Sequence, residues 1–271
     1  MTTSTEVAPA VLSDVLGVEL RGGVLELTLN RPDALNSLNL VLKTALATAL
    51  RDARYDESVR AVLITGAGRA FCAGGDLSEM DPNRTPEQAR SRQHQLLSDV
   101  FLPLARTPKP VVAAVNGHAH GAGLSLALAC DVVVTSTEAP MSFGYVLRGL
   151  TPDCGITYVL PRLIGMAKAK QLLFSGRRFD GAEAERLGLV AEAVPAADVL
   201  ERGRAVAGEL AAGATVALAL TKRMLDQSSQ LSFEDLAEVE AYSQAVTRAT
   251  ADHAEGILAF QERRPAVFRG A

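Results

Sequence analysis

Tryptophan is absent from this 271-residue chain, and aromatic residues make up only 4% of it. A pocket in such a protein must be lined by aliphatic side chains and main chain, so functions that stack bases or sugars on rings are disfavoured. Cysteine is scarce too. Cys72, Cys130 and Cys154 are odd in number, widely spaced and without a Cys-x-x-Cys pair, which excludes a disulfide scaffold or zinc ribbon and fits a reducing compartment. Positive charge is not in excess, with Lys+Arg 27 against Asp+Glu 31 and a net charge of −4. Nucleic acid, gripped by releasing counterions from phosphates, is therefore not an expected partner. No apolar run of about 18 residues occurs, so no membrane partner is expected. The first residues, MTTSTEVAPAVLSDV, show neither a basic start nor an apolar stretch of signal type, and the expected location is the cytoplasm.

What is present is an alternation of strand and helix patterns. Residues 1–14 have little periodicity and read as a mobile lead-in. In GVLELTLN, Leu25, Leu27 and Leu29 fall on one face of a strand and Val24, Glu26 and Thr28 on the other. Asn36-Ser37 reads as a helix start, with apolar residues at helical spacing over 38–54, and the apolar run 61–65 reads as a buried strand. A second unit follows: a polar helix over about 86–104, a strand over 111–115, a glycine-broken turn, an apolar helix over 122–130 and a strand over 131–134. Such alternation predicts an α/β fold with covered strands. From 196 the pattern is helical only, so residues 15–195 read as the body and 196–271 as a helical C-terminal region.

Several clusters offer chemistry, each beside a plainer reading. Gly66-Ala67-Gly68 begins like a dinucleotide fingerprint, but Phe71 stands where the third glycine belongs and no helix opens there. Ala73-Gly74-Gly75 leaves main-chain N–H groups uncovered by side chains, as either a ligand cradle or a tight turn. The stretch Val115 to Ser125 runs from a strand through Gly121-Ala122-Gly123 into an apolar helix, whose N-terminal amides favour a developing negative charge. His118 and His120 invite a metal, but an i, i+2 pair does not share a helix face and no third ligand joins it. Gly123-Leu124-Ser125-Leu126-Ala127 resembles a nucleophile elbow lacking its final glycine, with His253 in triad order; inside an apolar helix, Ser125 reads more simply as a packing residue. Asp153 follows a proline in an apolar stretch, where it is either a base or a helix cap.

Taken together, the motifs resemble the enoyl-CoA hydratase/isomerase (crotonase) superfamily. They are Asn30-Arg31-Pro32 with Ala34-Leu35-Asn36, Gly68 through Leu77, Val115-Asn116-Gly117 through Gly123, Leu128 through Asp131, Gly149 through Asp153, Leu160 through Gly165 and a tail from Glu255 to Pro265. The resemblance implies a spiral of ββα turns with a helical trimerisation region, assembled as a homotrimer or dimer of trimers. It implies an acyl-CoA substrate and no metal or resident cofactor, coenzyme A arriving as part of the thioester. It further implies an oxyanion hole of the Ala73 and Ala122 amides. Gly74, Gly75, Asp76, Leu77 and Gly121 would lie along the CoA, Arg31, Ala34 and Leu35 near its pantetheine and phosphates, and Phe260 and Arg263 at its nucleotide end, often across a subunit boundary.

Where a hydratase of this family carries two glutamates, the matching places hold Ser125 and Tyr145. Asp153 falls where the isomerase branches place a carboxylate base, and the string Gly149 to Gly155 is especially similar to ring-epoxyphenylacetyl-CoA isomerases. The expected reaction is double-bond migration by a 1,3-proton shift. A hydratase with altered residues, a serine hydrolase using Ser125 and a non-catalytic CoA-binding module are the alternatives. Residues 78–98, with Cys72, Tyr145 and Cys154, are expected to line or cover the acyl end.

Overall fold

The computed structural model describes residues 10–81 and 83–271. Of the lead-in expected over residues 1–14, residues 1–9 lie outside the described residues, but residues 10–13 are not free. They form β1 (Ala10–Ser13), antiparallel to β2 (Leu16–Arg21), which is antiparallel to β3 (Val24–Leu29). In β3 burial alternates as the spacing predicts, with Leu25, Leu27 and Leu29 inside.

The helix α1 (Leu40–Tyr55) starts later than Asn36-Ser37. Asn39 caps it, accepting from Leu42 N at 2.9 Å. Asn36 is instead fully buried with φ 55°. Its amide donates to the carbonyls of Ala67 (2.9 Å) and Ala70 (2.7 Å), and its Oδ1 accepts from Arg31 N. It joins two loops, which a capping residue at a helix end has no freedom to do.

From α1 the chain enters β4 (Ala61–Gly66), parallel to β3, and β5 (Ala70–Cys72). The helix expected over 86–104 is divided into α2 (Pro86–Leu96), a π-helical turn over Leu97–Phe101 and α3 (Leu102–Arg106). Pro103 cannot donate to the regular ladder, and the N–H of Leu102 reaches back to Leu97 O. Next come β6 (Val111–Val115), β7 (His118–His120), α4 (Ala122–Leu128), β8 (Val132–Ser136) and β9 (Met141–Ser142). α5 (Ile156–Ser175), β10 (Arg178–Phe179), α6 (Gly181–Leu187) and β11 (Glu192–Val194) complete the body. The C-terminal helices are α7 (Val199–Ala212), α8 (Thr215–Gln227), α9 (Phe233–Arg248) and α10 (Ala251–Glu262).

Among the described residues the strands make two sheets, one ordered β1-β2-β3-β4-β6-β8-β11 and one ordered β10-β9-β7-β5. The first is parallel from β3 onward, and β5, β7 and β9 of the second are parallel. The division at residue 195 cuts through a packed layer. α7 buries Val199 and Ala207 against Leu63, Val112 and Ala114 of the larger sheet, so it belongs to the body. The helices that leave the core are α8, α9 and α10, with almost no buried residues. No single helix among the described residues is long and apolar enough to cross a membrane.

Candidate active site

The smaller sheet and the N-terminus of α4 form the floor of a cavity of about 1650 Å³, with α1 and α2 on one side. Two loops meet at this floor. At Gly74, φ is 100°, and a Cβ there would stand 2.7 Å from His120 O and 3.5 Å from Ala122 N. Only a residue without a side chain lets the 73–77 segment approach so closely.

The Ala73 reading is corrected by this segment's hydrogen bonding. Ala73 N donates to Leu35 O at 2.9 Å and is not available to a ligand. Leu38 bridges Gly75 in parallel fashion, donating to Gly74 O (2.8 Å) and accepting from Asp76 N (3.4 Å). In such a bridge the N–H of the central residue points to the opposite edge. Neither the Gly75 N–H nor the Ala122 N–H has a hydrogen-bond partner among the described residues, and both residues line the cavity.

Ala34 and Leu35 line it as well, as do Gly74, Asp76, Leu77 and Gly121. Arg31 does not. Its Nη1 donates to Ser37 O (2.6 Å) and Asp76 Oδ2 (2.8 Å), so it shapes the loop instead of meeting a ligand. Asp76 is held well below the ordinary carboxylate range, chiefly by the Ser78 hydroxyl and then by Arg31. Phe260, 86% exposed on α10, and Arg263, which ends that helix, are not brought to the cavity of their own chain.

Asp153 lines the cavity, and its two oxygens differ. Oδ2 accepts from the Gln93 amide at 3.1 Å, whereas Oδ1 is buried without a hydrogen-bond partner. Asp153 O also accepts from Ile156 N, but the carboxylate itself does not cap α5, whose N-cap is Gly155. Burial, and then the nearby Asp153 charge, push the Tyr145 phenol and the Cys154 thiol upward. Burial pushes the Cys72 thiol up to about 12. These groups keep their protons, and the half-buried Asp153 is the acidic side chain beside them. Gln93, on α2, carries no motif signal; only its place within the expected lining segment 78–98 pointed to it.

Ser125 lies inside α4, 2% exposed, with its hydroxyl 3.0 Å from Tyr145 Oη. No histidine hydrogen-bonds it among the described residues, which corrects the hydrolase alternative: a serine without a base is a poor nucleophile. Ser125→Ala is expected to keep at least about half the activity, and a fluorophosphonate probe is expected to leave the wild-type chain unlabelled. His118 and His120 share a face after all, because they lie on a strand. His118 Nδ1 is 3.3 Å from His120 Nε2, and His120 Nδ1 is 3.0 Å from Ser142 Oγ. Among the described residues no cluster of three or more metal-ligating side chains forms. Gly66 and Gly68 serve packing: Asn116 donates to Gly68 O and accepts from Gly66 N.

The sequence profile described as enoyl-CoA hydratase/isomerase matches residues 19–271. The chain belongs to this family. It is 35% identical over 250 residues to 1,2-epoxyphenylacetyl-CoA isomerase of Escherichia coli (strain K12), covering 92% of this chain and 95% of that one. It is 38% identical over 255 residues to enoyl-CoA hydratase domain-containing protein 2, mitochondrial, of Homo sapiens, covering 92% and 86%. The crystal structure of an enoyl-CoA hydratase from Bacillus anthracis superposes with a TM-score of 0.90 at 32% identity, covering 95% of this chain and 100% of that one. The fold is thus that of the enoyl-CoA hydratase/isomerase family, and the expectation of α/β architecture holds.

Proposed function

We propose that this member of the family is an acyl-CoA isomerase that shifts a double bond by moving one proton between two carbons. The observation that carries the reading is the Asp153 carboxylate, half-buried at the cavity wall with Oδ2 on Gln93 and Oδ1 without a hydrogen-bond partner. A 3-enoyl thioester would place its carbonyl oxygen against the Gly75 and Ala122 amides and its C2 hydrogen at the Asp153 carboxylate. The C–H bond breaks, the electron pair spreads into the carbonyl as a dienolate, and the amides hold the oxyanion. Such donors are each worth about 2.7–4 kcal/mol where they have been removed. The proton then returns from the carboxylate to C4, leaving a 2-enoyl thioester. Atoms and electrons balance without an oxidant, so the reaction calls for no resident cofactor. The Ser125–Tyr145 pair supplies no second carboxylate to activate water.

The test follows the proton. With a 3-enoyl-CoA deuterated at C2, a single shuttling carboxylate carries part of the label to C4 of the product. No shift in the 3-enoyl-CoA, together with accumulation of 3-hydroxyacyl-CoA when a 2-enoyl-CoA is supplied, would establish the hydratase instead.

Gln93 positions this base. Gln93→Met is expected to lower kcat by about 10- to 100-fold with little change in KM, because a displaced carboxylate loses its approach to the C–H bond while thioester binding stays intact. Steady-state kinetics checks the split.

We also read the exposed apolar residues of α8 to α10, such as Phe233 and Tyr242, as the face of a homotrimer or dimer of trimers. In that assembly Phe260 and Arg263 would reach a neighbour's CoA.

A further inference from the structure

The smaller sheet has one apolar face and one polar face. Cys72, Ala119, Met141 and Phe179 fill the core side. On the other side the register aligns His120 with Ser142 and Ser142 with Arg178, so the three stand side by side across β7, β9 and β10, with His118 two residues before His120. All four line the cavity, and Arg148, from the turn after Tyr145, joins them. The Arg148 guanidinium bonds only Gly144 O (3.2 Å), and Arg178 makes no ion pair or side-chain hydrogen bond among the described residues. Among the described residues no carboxylate pairs with this cluster.

Two arginines whose charges are unmatched, beside two imidazoles and a hydroxyl, form an electropositive wall. His120 registers that field: burial first, then the charges of His118, Arg178 and Arg148, hold it neutral down to about 4. The wall is close to the proposed reaction centre. His120 is two residues from Ala122, so their Cα atoms are at most about 7.6 Å apart. Other basic side chains, Lys43, Arg51, Arg84 and Arg90, line the cavity at its α1 and α2 end, and in the proposed binding mode the CoA phosphates are left to them.

We infer that the cavity holds a subsite for an anionic group at the far end of the acyl chain, a carboxylate a few carbons from the thioester carbonyl, bound by Arg178 and Arg148 with Ser142 and the His118–His120 pair. The substrate class is then the monothioester of a dicarboxylic acid. The inference rests on the proposed placement of the thioester at Gly75 and Ala122, but a binding measurement tests it independently of which reaction follows.

Inhibition or calorimetry with glutaryl-CoA and adipyl-CoA, against the length-matched pentanoyl-CoA and hexanoyl-CoA, reads the preference directly. The wild-type chain is expected to bind the carboxylate-ended thioesters at least about tenfold more tightly, as charge-assisted hydrogen bonds provide. Arg178→Gln and Arg148→Gln together are expected to abolish that preference while the neutral thioesters bind as before. Equal binding of the two kinds by the wild type overturns the subsite, as does a preference that survives the double substitution. If the substitutions weaken free CoA and neutral thioesters alike, the arginines serve the phosphates. If they change the oligomeric mass, the cluster is a subunit contact. Either result also overturns the subsite, and loss of Asp153-dependent isomerisation alone leaves it standing.

Discussion

Asp153→Asn is expected to lower double-bond migration by about 10³-fold, within the range that a positioned general acid–base contributes. CoA thioesters should still bind within a few fold, because the carboxylate holds a proton in transit and supplies no anchoring contact of its own. Stability should hold or rise, since the native chain keeps Asp153 Oδ1 buried with no partner. A carboxylate oxygen stripped of water carries a desolvation penalty that an amide largely avoids. A lower Tm together with lost turnover would point to a structural role for Asp153. An Asn variant with full activity would move the base elsewhere. Monitoring the enoyl absorbance, thioester affinity and thermal unfolding on one preparation separates these outcomes.

The second large effect is expected from a methyl group. In Gly123→Ala the new Cβ would stand 2.1 Å from Cys72 O and 2.8 Å from Cys72 Cβ. These are main-chain and core atoms of β5, not a flexible tip, so α4 must move away from that strand. Overpacking of this kind lowers stability by about 1–3 kcal/mol. Activity should fall further than stability, because the displaced residue adjoins Ala122, whose N–H is a proposed donor. A shift of about 1 Å at such a group lowers the rate by about 100-fold. Chemical denaturation checks the first expectation and kcat at saturating thioester the second. Unchanged kcat in the folded variant would remove Ala122 from the oxyanion hole.

The legible parts of the site were those carried by local chemistry. The glycine-rich loops announced exposed main chain because a missing side chain is visible in the letters themselves. Asp153 stood out because a carboxylate in an apolar stretch must be explained. Hidden from that reading was which amide of the 73–77 loop is left over, since it depends on the bridge between Leu38 and Gly75. Gln93 was hidden for a similar reason: 60 residues separate it from Asp153. Asn36 has the letter of a helix cap, and its burial between the carbonyls of Ala67 and Ala70 overrode that local preference. The two histidines were judged by helical geometry and lie on a strand, where the same spacing brings their rings together.

By itself the sequence determined the α/β alternation, the aliphatic core, the family motifs and the presence of one carboxylate where a hydratase would carry two glutamates elsewhere. These follow from composition and short-range pattern, in which each residue acts through neighbours a few positions away. The tertiary structure alone decided that Ala73 N–H is occupied while Gly75 and Ala122 are open, that Arg31 turns inward to Asp76, that one Asp153 oxygen is held and the other bare, and that His120, Ser142 and Arg178 stand in a row. The physical reason is common to all four. A hydrogen-bonding group is available to a ligand only when no distant segment satisfies it first, and which segments meet is a property of the folded chain.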